Sequence, residues 1–305
     1  MESQLLKQNH AFRAVIQPDL PASNTWSGLL KKSVDFQWRR PLPKSLHSSK
    51  ANLGEETGEE FASTLGVEVV QTVAVNVRSR RNLRGYLQSK IAGCHDKYGE
   101  SAKVRALLCV SGGHPARRLP LLGSHLLADS ADLLREASKG ITNVEGASDS
   151  QQQQPELWCV ENPLLNFNGS RLERKFDSGA STVVTQPPLL RGSFLQWFDK
   201  FEKEFGGRGG GGNFVVGIPC ITSARNLQFW FDICGVRYQS NREAMELLSQ
   251  FHESQDMLDA AAFDRFCLQY TESLLQLTRD LPNVCGLHFM PVTAKGYRQL
   301  TKLNV

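Results

Sequence analysis

The stretch Gly169–Leu190, GSRLERKFDSGASTVVTQPPLL, decides the fold. Ser170 followed three residues later by Glu173 has the form of a capping box, in which hydroxyl and carboxylate each satisfy an amide at a helix start. Leu172 and Phe176 lie four apart and share one helix face. Gly179 supplies the left-handed residue that ends helices at little steric cost. Ser181–Thr185 is then a short β-branched run, closed by Gln186 and the double proline Pro187-Pro188. A helix passing straight into a buried strand, with a polar residue at the strand's C-terminal end, is one unit of an α/β barrel. That end is where barrels carry out chemistry. Any helix–strand connection in an α/β protein has the same local form.

Outward from this segment the chain alternates short apolar runs with helical spacing. Strands are expected at Phe12–Ile16, Val34–Trp38, Val67–Val75, Val104–Val110, Leu157–Val160, Ser181–Thr185, Phe214–Ile218 and Gly286–Met290. Between them, helices are expected at Leu83–Ile91, Leu126–Ala137 with a stop at Gly140, and Ser193–Phe205 with a Ser193 cap and a Gly206 stop. Further helices follow over Ser223–Ile233, Arg242–Phe251 and Leu258–Leu277, before a basic C-terminal tail. The expected fold is α/β, a (β/α)8 TIM-type barrel in a single domain over residues 1–305. Low-complexity insertions fall at about 143–155 and 206–212. A doubly wound open sheet is the alternative, and the lack of a G-x-G-x-x-G after an early strand counts against its dinucleotide-binding form.

Composition bounds the function. With 305 residues, 40% hydrophobic and 22% charged, the chain can bury a barrel-sized core. The net charge of +4 is mild. The basic runs Arg78-Ser79-Arg80-Arg81 with Arg84, and Lys31-Lys32 to Arg39-Arg40, read as solvated faces. They lack the dense stripe that nucleic acid requires, so no nucleic-acid partner is expected. Seven cysteines without a C-x-x-C pair point to free buried thiols in a reducing compartment: the cytoplasm, or alternatively the mitochondrial matrix. No run reaches the ~18 apolar residues of a membrane span.

Several segments, in the same order, resemble the catalytic barrel of the methylenetetrahydrofolate reductase family. Leu172-Glu-Arg-Lys-Phe-Asp-Ser-Gly-Ala180 with Val183-Val-Thr-Gln186 is similar to the family's L-x-x-K-x-D-A-G-A-x-x-x-x-T-Q signature. Gly217-Ile-Pro-Cys-Ile-Thr222 with Asn226-Leu227 and Cys234-Gly235-Val236 resembles its seventh strand and following helix. Gly286-Leu-His-Phe289 resembles the last strand, and Gly66 to Arg80 the third strand and its loop. The resemblance implies FAD at the C-terminal face, NADH or NADPH as reductant, and conversion of methylenetetrahydrofolate to methyltetrahydrofolate, a step of one-carbon metabolism. It also implies site residues: Gln186, Asn226 and Trp230 towards the folate, and Lys175, Thr185 and Thr72 towards the flavin. A lysine neutralises phosphate as a point charge, and a carboxamide both donates to and accepts from a pterin edge.

This sequence also departs from the family. Ala14 stands where the family has an acid used in proton transfer, and Gly113, in Ser111-Gly112-Gly113, where it has the aspartate of Arg-Gly-Asp. Thr72 replaces a histidine, Asn162-Pro163 an aromatic–histidine pair, and Asn226 the family's second glutamine. A missing general acid lowers rate by a typical ~10²–10⁴-fold. Asp19 and His114 lie near the two lost acids and are candidate substitutes; His288 reads as a packed core histidine. Three functions therefore stand open: an active flavin-dependent reductase, a catalytically silent barrel serving as a subunit or scaffold with a protein partner or a second copy, and a barrel that binds a folate or another flat small molecule without flavin.

Overall fold

The computed structural model describes residues 14–17, 68–75, 78–88, 104–111, 127–142, 155–206, 212–279, 281–300 and 302–303. The expected strand Val34–Trp38, the residues Asp19, Gly113 and His114, and most of both insertions lie outside the described residues. The elements in chain order are β1 (Ala14–Gln17), β2 (Glu68–Ala74), β3 (Val104–Val110), α1 (Ser130–Thr142), β4 (Glu156–Glu161), α2 (Gly169–Asp177) and β5 (Thr182–Thr185). They continue as α3 (Arg191–Phe205), β6 (Asn213–Pro219), α4 (Ala224–Ile233), α5 (Arg242–Met257), α6 (Ala260–Arg279), β7 (Val284–Met290) and α7 (Ala294–Leu300). The chain is α/β, and every strand pair recorded among the described residues is parallel.

The chain divides into two compact units. Of the described residues, the first takes those up to Cys159 and Arg174–Ser181. The second takes Val160–Glu173 and those from Thr182 onward. In the first unit the strands follow chain order, β1-β2-β3-β4. Val70, Val73, Ala106, Leu107, Leu108 and Cys109 are all buried. Such unbroken burial is the mark of a parallel sheet covered on both faces. Leu83 and Leu87, four apart in a helical stretch over residues 83–88, and Ala131, Leu133, Leu134 and Ala137 of α1 complete this core. α1 begins later than its leucines suggest. Asp129 and Asp132 cap it reciprocally, the Asp132 amide donating to Asp129 Oδ1 at 2.9 Å and the Asp129 amide to Asp132 Oδ2 at 3.1 Å. Leu127 is in an isolated bridge with Ser79. At its other end α1 runs through Gly140 to Thr142, because a helical glycine costs only about 1 kcal/mol.

In the second unit the order is β5-β6-β7. Phe194, Trp197, Phe198, Phe201 and Phe205 make the buried face of α3. They close on Phe214 of β6, with Phe201 edge-on to it at 4.6 Å between ring centroids. A second cluster joins α4, α5 and α6 through Leu227, Phe231, Phe251, Phe263 and Cys267. Ser193 does not cap α3 with its own oxygen. Glu243 of α5 does the work instead, accepting from the Gly192 amide at 2.7 Å and from the Ser193 amide and hydroxyl at 3.3 Å each. A carboxylate there meets both the unpaired amides and the positive end of the helix dipole. Gly206 ends α3 with φ −61°, so its left-handed freedom is unused. Helices α5 and α6 run past Phe251 and Leu277, and the expected basic tail contains α7.

Around the signature segment the structure changes one expectation and supports another. The start of α2 is capped by Asn168, whose Oδ1 accepts from the Arg171 amide at 2.9 Å, so Ser170 lies inside the helix. The other end is a Schellman turn: the Ala180 amide donates to Lys175 O at 3.1 Å and the Gly179 amide to Phe176 O at 2.8 Å. Gly179 has φ +100°, where a side chain would be strained.

Candidate functional site

In the second unit, three strand ends carry the polar residues expected of a site. β5 is buried over its whole length. Thr185 Oγ1 accepts from the Gly217 amide of β6 at 3.3 Å. This approach needs glycine, because a Cβ at position 217 would lie 2.6 Å from Thr185 O and 2.5 Å from Met290 Cε. One residue on, the Gln186 amide donates to Glu161 O at 2.8 Å, which fixes the backbone just past the strand end. The Gln186 side chain is half-buried. Its Oε1 accepts only a weak S–H bond from Cys234 at 3.8 Å, and among the described residues its Nε2 has no partner.

The end of β4 is different. Glu161 is 3% exposed and holds Arg171 of α2 at 2.5 Å. Sequence reading passed over this acid, although a carboxylate closing the apolar run Leu157–Val160 is the kind of signal that marks one. Asn162 Nδ2 donates to Cys234 O at 2.7 Å, satisfying a carbonyl at the end of α4, while its Oδ1 accepts from the Leu164 amide at 3.0 Å. Both ends of this side chain are used in holding the backbone.

After β6, Ser223 caps α4 by accepting from the Asn226 amide at 3.1 Å, so the helix expected from Ser223 begins one residue later, at Ala224. Asn226 returns the favour: its Oδ1 accepts from the Thr222 amide at 3.2 Å. Asn226, Trp230 and Cys234 follow at four-residue intervals and so share one face of α4, all of them buried. Gln186 touches the Cys234 end of this face. Asn226 lies roughly 12 Å away along the helix axis, at eight residues and 1.5 Å each. Trp230, between them, packs into the apolar cluster with Leu227 and Phe231, and among the described residues its buried indole Nε1 has no hydrogen-bond acceptor. An unmatched buried donor carries a penalty of about 1–3 kcal/mol, so this N–H is the most conspicuous unspent group on the face.

The thiols near this face are not nucleophiles. Burial pushes Cys234 and Cys220 each up to about 12, which keeps them protonated at neutral pH. His288 of β7 is half-buried, and burial lowers its pKa to about 4. It is therefore neutral at pH 7.

In the first unit, Lys175 is 5% exposed in the last turn of α2. Thr72 is half-buried on β2, its carbonyl accepting from Gln71 Nε2 at 2.9 Å. Ala14 opens β1 and pairs in register with Glu68.

A cleft of about 210 Å³ opens in the second unit between α3, α5 and α6, lined in part by Arg191, Glu243, Leu247, Tyr270 and Leu277. None of the residues expected in the site lines it. Tyr270, whose hydroxyl donates to Leu189 O at 2.9 Å, is held protonated there by burial, with the Glu243 charge adding to the effect. Among the described residues, no three histidine, cysteine or acidic side chains are placed to hold a metal ion, and no helix is long and apolar enough to cross a membrane. No protein-family model matches the chain, and no curated protein matches it.

Proposed function

We propose that the chain is a (β/α)8 barrel of the methylenetetrahydrofolate reductase type. Its proposed activity is reduction of methylenetetrahydrofolate to methyltetrahydrofolate by NADH or NADPH through FAD. The barrel reading is supported by strand order. Within each unit parallel strands follow chain order without reversal, whereas a doubly wound sheet turns back at a switch point. One observation carries the functional reading: the Lys175–Gln186 segment folds as a helix, a Schellman turn and a buried strand that ends on a carboxamide whose Nε2 has no partner among the described residues.

The chain's own residues divide the work as follows. Gln186, fixed through its backbone amide on Glu161 O, offers both a donor and an acceptor to the edge of a pterin. Trp230, on the neighbouring helix face, adds an indole N–H. Thr185 and Gly217 hold the strand end still. By the resemblance, Lys175 is the residue that would hold a flavin phosphate, and Thr72 stands at the family's histidine position. When bound, FAD supplies the transfer of two electrons from nicotinamide to folate. Asn226, with its carbonyl oxygen engaged by Thr222, is left with its Nδ2 for a ligand.

A second reading, a catalytically silent barrel acting as a subunit or scaffold, is favoured by a specific observation. In the second unit the polar side chains next to Gln186 serve the fold: Glu161 holds Arg171 and Asn162 holds Cys234. The two are separated by purifying the chain and recording its visible spectrum before and after adding FAD, then following NADH and NADPH oxidation with methylenetetrahydrofolate. A flavin spectrum with folate-dependent turnover supports the reductase. A chain that takes up no FAD and co-purifies with a stoichiometric partner supports the scaffold.

A further inference from the structure

The first unit holds four arginines within seven residues at the C-terminal end of β2, and two of them are locked in place. Arg78 Nη1 donates to Ala74 O and Val75 O at 3.2 Å each, and its guanidinium carbon lies 3.6 Å from the centre of the Tyr86 ring. Tyr86 is itself tied to the same strand end, its hydroxyl donating to Ala74 O at 3.2 Å. Arg80 Nε donates to Asp132 Oδ2 at 2.9 Å while its side chain stays 60% exposed. The turn that carries them is braced from behind: the Ala128 amide donates to Arg78 O at 3.0 Å, and Ser79 bridges Leu127.

Arg80, Arg81 and Arg84 are exposed on one side of the turn Arg80–Asn82 and the helical residues 83–88, while Leu83 and Leu87 are buried on the other. Among the described residues neither Arg81 nor Arg84 has an ion-pair or hydrogen-bond partner. The nearby acids are already engaged: Asp132 takes Arg80, Arg135 and the Asp129 amide, and Asp129 takes Arg174. Positive charge is therefore concentrated, and half of it is held rigidly. A guanidinium fixed through some of its five N–H groups still presents the others in a planar fork that fits phosphate oxygens. A solvated charged face has no need of a ring stacked beneath one guanidinium and a carboxylate behind another.

We propose that Arg78, Arg80, Arg81 and Arg84 form a binding site for the di- or triphosphate group of a free nucleotide. Arg78 and Arg80 supply the fixed floor, and Arg81 and Arg84 close on the outer oxygens. Two linked phosphates match the cluster better than one, since a single phosphate cannot meet guanidinium groups spread over a full helical turn. The site stands whether or not the strand ends of the second unit bind folate.

Isothermal titration of the full chain with inorganic pyrophosphate, and then ADP, tests this. Saturable binding is expected, with ADP at least as tight as pyrophosphate. Removing Arg81 or Arg84 by R81A or R84A should raise Kd about tenfold each, since a charge-assisted hydrogen bond contributes on that scale. Gln88→Ala, on the same exposed side, should leave Kd unchanged. Because Arg81 and Arg84 are exposed and have no side-chain partner among the described residues, both variants should keep the parent circular dichroism spectrum. Equal heats from sulfate, or undiminished binding in the R81A/R84A double variant, would overturn the site. So would capture by vesicles containing anionic lipid without any binding of pyrophosphate, which would move the anion to a membrane surface.

Discussion

The strand ends after β5 and after β4 and β6 look alike in composition, with a carboxamide at or near each, yet they use those groups in opposite ways. Asn162 and Asn226 spend their side-chain oxygens on backbone amides, and Asn162 also spends its nitrogen on the last turn of α4. Gln186, held through its backbone, keeps its side chain almost entirely unspent. The difference teaches that a polar side chain at a strand end is left available to a ligand only where the backbone secures the chain without it.

This contrast can be broken by substitution. The largest effect is expected from Gly217→Ala, where the new Cβ meets the carbonyl of Thr185 at 2.6 Å. Backbone cannot yield as a flexible side chain can, so about 3 kcal/mol should be lost from the denaturant unfolding free energy. Asn162→Ala comes next. It strips partners from the Cys234 carbonyl and the Leu164 amide together, and should cost about 2 kcal/mol in the same assay. Asn226→Ala removes one half of the α4 cap and should cost about 1 kcal/mol. Gln186→Ala should change stability by no more than about 0.5 kcal/mol, while weakening folate binding measured by fluorescence quenching. A Gln186→Ala chain as unstable as Asn162→Ala would erase the distinction.

A pH titration sharpens the same map. His288 has a folded pKa of about 4, lowered by burial, against 6.5 for an exposed imidazole. Below 6.5 the unfolded chain therefore binds a proton that the folded chain refuses. Stability is whole above pH 6.5 and falls as the pH drops toward 4. His288→Phe should flatten the unfolding free energy across that window, and an unchanged slope would mean that another group sets it. In the first unit Asp132 acts at lower pH. Burial alone would raise its pKa, but the Arg80 hydrogen bond, the Asp129 amide and the Arg80 and Arg135 charges outweigh burial and hold it below the usual value. The support it lends to the start of α1 is present above the ordinary carboxylate range and is lost as the pH falls through the folded pKa.

Much of the local structure was legible because its causes are local. Gly179 ends a helix by its own φ, and the buried runs of β3, β5 and β6 announce a parallel sheet. What escaped the sequence has distant or competing causes. Glu243 caps α3 from about fifty residues away, and no pattern around Ser193 points to it. Asn168 and Ser170 are both good capping residues two positions apart, and only the backbone geometry chooses between them. The leucines at 126 and 127 draw the expected start of α1 too early, ahead of the Asp129–Asp132 pair that sets it. The site was half legible for the same reason. Residue type says that Asn162, Asn226 and Gln186 can each hold a ligand, and only their partners among the described residues reveal that Asn162 is engaged at both ends, Asn226 at one and Gln186 hardly at all.

The central claim is that the unspent carboxamide at the end of β5 serves a folate beside a flavin. The most direct measurement is a single titration: purified chain loaded with FAD, reduced with NADH or NADPH, and mixed with methylenetetrahydrofolate while the visible flavin bands are followed. The account predicts bleaching by the nicotinamide and recovery on adding the folate, with recovery slowed in Gln186→Ala. A chain that takes up no flavin, or whose reduced flavin is indifferent to the folate, contradicts it.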